Sequence, residues 1–105
     1  KEVDFNSAGY GTISLEAMFG ILNKIFSIEK VIDLLTKGRS LFSIKEPRIE
    51  IGEKACLTFF DPSKRDILTN DKIVSTSKNC AFVDMQIVGK VHGSINDNKI
   101  FYLQK

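Results

Sequence analysis

An α+β fold, with two N-terminal helices packed on one face of a four- to five-stranded, mainly antiparallel sheet, is what this sequence predicts. Three observations carry it. Apolar residues recur at helical spacing from Leu15, a second capped helix begins after Ser27, and beyond Pro47 the apolar period drops to two. Helices first and strands afterwards is the order of an α+β chain, not of an alternating βαβ one.

Residues 1–12, KEVDFNSAGYGT, read as an irregular arm with a short strand around Val3 and Phe5. Leu15, Met18, Phe19, Leu22, Ile25 and Phe26 then line one face of a helix. Ser14 is its expected N-cap, Glu16 meets the positive end of the helix dipole, and Ile13 and Met18 have the spacing of a hydrophobic staple. Ser27, Glu29, Phe26 and Val31 repeat this grammar, so the helical segment 13–38 is read as two helices broken near Ser27. The second, Ile28 to Lys37, is expected to close on Gly38 in the left-handed conformation. Ser43 and Glu46 imitate a capping box, but Pro47 argues against a lasting third helix.

The β-rich part spans 47–105. Ile49 and Ile51 alternate with charged residues, ACLTFF follows, and DPSK at 61–64 has the signature of a type I turn. DKIVSTS is a weaker strand and CAFVDMQIVGKV a strong one. NDN at 96–98 turns the chain into KIFYLQ as a hairpin.

A length of 105 residues predicts one domain, 1–105. With 43% apolar and 27% charged residues the composition is that of a folded globular chain. Fifteen basic and thirteen acidic side chains, evenly mixed, offer no electrostatic funnel for phosphates, so nucleic acid is not favoured as a partner. Charged residues interrupt the apolar run 13–35, so a membrane is expected to be met only through an anchor removed from the front of the chain.

In the strand opened by Cys80, the odd positions Ala81, Val83, Met85 and Ile87 are apolar and expected to face the helices. The same parity in ACLTFF puts Cys56, Phe60, Cys80, Phe82 and Val88 on the far face. A Cys56–Cys80 disulfide follows as an expectation, closing a loop of about 25 residues for about 3 kcal/mol. Such a bridge implies an oxidising compartment, periplasmic or secreted, with the cytoplasm as the alternative. Phe60, Phe82 and Val88 become the expected face for a protein partner or a small apolar ligand, unless the arm folds over them with Phe5 and Tyr10.

No catalytic, cofactor-binding or metal-ligating residue is assigned. Asp84, His92 and Ser94 invite a hydrolytic reading, but eight residues of strand hold Asp84 and His92 roughly 26 Å apart. The one histidine and two separated cysteines lack metal-ligand spacing, and GYG is too short for a phosphate cradle. The expected function is a non-enzymatic extracytoplasmic interaction or sensing domain, such as an accessory subunit of a secretion or pilus apparatus or the ectodomain of a membrane-bound regulator in signal transduction. The alternative is an intracellular regulator of phage or plasmid type, its helix pair binding protein or nucleic acid. An enzyme would have to work with carboxylates such as Asp61 and Asp84 in a cleft the sequence does not show.

Overall fold

The computed structural model describes residues 4–7 and 9–103. Two helices, α1 (Met18–Ile25) and α2 (Ile28–Thr36), are followed by one helical turn, α3 (Gly38–Leu41). Strands β1 (Cys56–Ile67), β2 (Gln86–Asn96) and β3 (Lys99–Tyr102) form one antiparallel sheet in the order β1-β2-β3. Three strands therefore stand where four or five were expected. Residues 48–51 run into a turn in which the Glu53 amide donates to the Glu50 carbonyl at 3.2 Å. Residues 70–72 form a 3-10 turn, and no strand follows before β2. Alternation gave both segments a strand-like look, but neither pairs with a neighbouring strand, without which a strand is not stable in water. Val3 lies outside the described residues, and Phe5–Ser7 form a 3-10 turn in place of the expected strand. Tyr10 is fully exposed, so it covers no sheet face.

Ser27 caps α2, its side chain accepting from the Lys30 amide. At α1 the cap differs from expectation, because the helix starts three residues later, behind Ala17, with no side-chain cap. The preceding residues are engaged elsewhere. Ile13 donates its amide to the Asn79 carbonyl at 2.8 Å, Thr12 Oγ1 accepts from the Ala81 amide at 2.8 Å, and Asn79 Nδ2 donates to the Gly11 carbonyl at 2.8 Å. Both Glu16 carboxylate oxygens accept backbone amides, from Val74 at 2.8 Å and Ser75 at 3.0 Å. Segment 11–16 is thus sewn to loop 74–81 before the helix can wind. Gly38 opens α3 instead of ending α2 in a left-handed turn.

α1 lies on β2 at unusually short range, and two glycines make that approach possible. A Cβ on Gly20 would stand 2.8 Å from Ile87 Cβ, and one on Gly89 would stand 2.5 Å from Phe19 Cε1. Gly89 also has φ +107, a conformation that side-chain-bearing residues rarely adopt. A small core of Ala17, Leu68 and Ile73 sits beside this crossing, with Ile13, Ile21, Cys80, Phe82, Val83 and Ile87 packed around it. Val31 of α2 is buried separately and completely.

Much apolar surface is left over. A folded monomer of this mass exposes about 5,900 Å², whereas this chain exposes 8789 Å². Its radius of gyration is 16.2 Å, against about 13 Å for a compact domain of this length.

Candidate functional site

Parity along the sheet decides which side chains are available to a partner, and two irregularities interrupt it. The register passes from Phe59↔Gly93 to Phe60↔Val91, leaving His92 unpaired, and from Asp61↔Lys90 to Arg65↔Val88, leaving residues 62–64 as a bulge. The single extra residue at His92 turns the alternation over, whereas the 62–64 bulge sets three residues against Gly89 and leaves Asp61 and Arg65 on one face. Phe60 accordingly faces the helices, its ring 5.0 Å from that of Phe19 in an edge-on pair. Cys56, Thr58 and Phe60 share a groove of about 410 Å³ with Ile32 and Leu35 of α2.

Phe82 and Cys80 are not on a strand at all. Residues 81–84 form a turn, with Asp84 at φ 64, and β2 begins only at Gln86. Phe82 and Cys80 pack instead against the core of Ala17, Leu68 and Ile73. Of the three residues expected on the partner face, Phe60 and Phe82 are therefore on the helix side. Val88 alternates with Ile87 and Gly89, both beneath α1, and falls on the far side.

The expected disulfide is not formed: Cys56 and Cys80 are free thiols. Cys56 pairs with Asn96 at one end of the β1–β2 ladder, while Cys80 lies beyond the other end, where Ile67 pairs with Gln86. Roughly 30 Å of strand separates those ends, and a bridge needs Cα atoms within about 6 Å. The oxidising-compartment argument loses its basis with it.

The far face carries an apolar pattern that the sequence reading missed. Leu57, Ile95 and Ile100 stand opposite one another across the three strands, and Phe59 and Tyr102 flank them two positions along. Phe59, Ile100 and Tyr102 are 48%, 55% and 78% exposed. Its signal was legible only with the bulge at His92 known.

Ionisable groups serve mainly to hold backbone or face solvent. Asp61 accepts from the Ser63 amide at 2.8 Å, capping its own turn, and His92 is exposed on β2. Lys45, Glu46, Arg48 and Glu53 line a surface hollow of about 350 Å³, with Lys45 and Glu53 paired at 3.8 Å. Among the described residues no three His, Cys, Asp or Glu side chains gather as a metal site, and no helix is long and apolar enough to cross a membrane. A second hollow of about 390 Å³ lies between Ile13, Ala17, Leu68, Ile73 and Cys80, its Glu16 carboxylate already taken up by the two amides.

Asn23 is the polar link between helix and sheet. Its Nδ2 donates to the Pro62 carbonyl at 2.8 Å and to the Val88 carbonyl at 3.0 Å, tying α1 to the β1 bulge and to β2 at once. Asn23→Ala is expected to cost about 2 kcal/mol, roughly 1 per lost bond, read as a lower urea midpoint with unchanged slope.

Asp66 accepts from Lys72 Nζ at 2.7 Å and from the Ile67 amide at 2.8 Å, and these bonds, the Lys72 one foremost, hold its carboxyl below the ordinary 3.8. A depressed folded value means that the stabilisation is complete above the ordinary carboxylate range and disappears as pH falls through the folded value. Asp66→Asn should thus lower stability at neutral pH by about 0.5 kcal/mol, as for an exposed pair. Paired denaturation curves at neutral pH and below the folded value check this, the difference vanishing in acid.

No family model matches the chain, and no solved structure does either. Curated relatives do. The chain is 33% identical to a dihydroorotase of Caldicellulosiruptor saccharolyticus, the match covering 95% of this chain and 25% of that protein. It is 24% identical to a dihydroorotase of Desulforapulum autotrophicum and 28% identical to one of Geotalea daltonii, over 97% of this chain and 25% of each. The chain spans about a quarter of the length of these relatives. The sequence alone led to the expectation of a non-enzymatic domain, whereas nearly all of the chain is similar to part of these enzymes.

Proposed function

We propose that this chain is a non-catalytic quarter of a dihydroorotase-like protein, a scaffold that docks through apolar surface onto the polypeptide carrying the reacting groups. The observation that carries this is the surplus of exposed surface, about 2,900 Å² beyond that of a finished monomer of this mass. The quarter-length match to dihydroorotases supports it, since it supplies a body of the right size to cover that surplus. The polar side chains fit the same reading, because Asn23, Glu16 and Asn79 bond to backbone and fix the scaffold's shape.

This proposal keeps docking by protein contact. The envelope location and the secretion, pilus or sensing roles lose the support of the Cys56–Cys80 bridge, because both thiols are free. The phage-type regulator has no observation in its favour.

An antibody raised against the chain tests the proposal on the native source. It should detect a polypeptide about four times as long, and that polypeptide, once purified, should have dihydroorotase activity. A native product no longer than this chain, or a long one without that activity, rejects the reading.

A further inference from the structure

We infer that the far face of the sheet, around Leu57, Phe59, Ile95, Ile100 and Tyr102, is covered in the native protein by an apolar layer from the other three quarters of the polypeptide. The inference rests on the dihydroorotase-like reading and adds which face is docked and by what. Register alone assembles the patch. Leu57, Ile95 and Ile100 make one cross-strand row, and Phe59 and Tyr102 extend it along β1 and β3. None of the five is charged, whereas further along the same face Asp61 stands opposite Lys90 and Arg65 opposite Val88. The apolar part therefore has a limit, as a contact area with a polar rim does.

The helices are on the opposite side, in contact with Phe60 and in the groove with Cys56 and Thr58, so they cannot supply the cover. A second copy is the other candidate occupant, and surface area argues against it. Each partner in a standard interface gives about 800 Å², and in a large obligate homodimer about 1,000–2,500 Å², still less than the surplus of about 2,900 Å². Exposed apolar side chains also recur away from this sheet face, at Leu41, Phe42, Ile44, Ile49 and Ile51. A two-fold contact through the sheet would leave all of these in water, while one long polypeptide can wrap both regions. The three quarters of each relative that lie outside the match are long enough to meet that demand.

Hydroxyl-radical footprinting reads the cover directly. Oxidation of Phe59 and Tyr102 is compared between the native-source polypeptide and the isolated chain, the latter at two concentrations. A severalfold fall in the native polypeptide, with labelling of the isolated chain independent of concentration, is the expected result. Equal labelling in both overturns the inference and leaves the dihydroorotase-like reading standing, because polypeptide length and activity are measured separately. Labelling of the isolated chain that falls with concentration, and is restored in Phe59→Asp, assigns the face to a second copy and equally overturns it.

Discussion

Replacing Gly89 by valine will detach α1 from the sheet, at a cost of about 2–6 kcal/mol, the sum of a strained left-handed backbone and an overpacked contact. Gly89 holds φ +107, and the first carbon added there would stand 2.5 Å from Phe19 Cε1 and 3.1 Å from Asn23 Nδ2. Phe19 cannot retreat without parting from Phe60, and Asn23 cannot without releasing the Pro62 and Val88 carbonyls. The three contacts that locate the helix therefore fail together. The measurement is the urea midpoint by circular dichroism, with Gly38→Ala as control. A Cβ at Gly38 meets nothing within 4 Å, so that variant is expected to be neutral or stabilised by up to about 1 kcal/mol. Equal behaviour of the two variants would refute the close-approach account.

The second large effect is expected at Val31→Asp, at about 4 kcal/mol, because an unpaired carboxylate there must be buried or must pull α2 away from its seat. Among the described residues Val31 is the largest side chain that is wholly enclosed, at 0% exposure, while its neighbours Ile32, Leu34 and Leu35 are each nearly half exposed. One residue thus anchors a helix whose remaining apolar stripe is open. Val31→Ala should cost about 1–2 kcal/mol from lost methyl burial. Far-UV ellipticity in native buffer separates the two cases. Helix content falls in the aspartate variant and holds in the alanine one.

The helical half was largely legible because its signals are local. Ser27 caps α2 as its residue type suggests, and the chain breaks between Ile25 and Ile28 where the second cap was read. The hairpin at 96–99 was also legible, with Asp97 at φ 55 in a loop of two residues between paired Asn96 and Lys99. What escaped was whatever depends on a distant partner. Ser14 looks like a cap, but residues 11–16 are held by a loop 58–69 positions away. Ile49 and Ile51 alternate like a strand with nothing to pair with, and remain 88% and 108% exposed.

The candidate face was misread for a related reason. Alternation is reliable only between irregularities, and the extra residue at His92 sets Phe60 opposite Val91 on the helix side and so turns Phe59 away from the helices. Cys80 and Phe82 were given strand parity inside a turn. Odd parity places Leu57 and Phe59 with the helices, whereas the register puts them on the far side, and Ile95, Ile100 and Tyr102 lie beyond the shift at His92, where a parity count from Cys80 no longer holds.

The middle strand of this sheet also fixes an order of events during folding. β2 is joined to β3 by two residues but to β1 only across residues 68–85. A tight hairpin closes in about 1–10 μs, whereas zipping β1 alongside must first overcome the entropy of the long intervening segment. On the ribosome β1 emerges well before β2, so its hydrogen-bonding edge waits unpaired until the rest has been synthesised. In a chain this rich in exposed isoleucine and phenylalanine, that waiting strand is the natural starting point for misassembly.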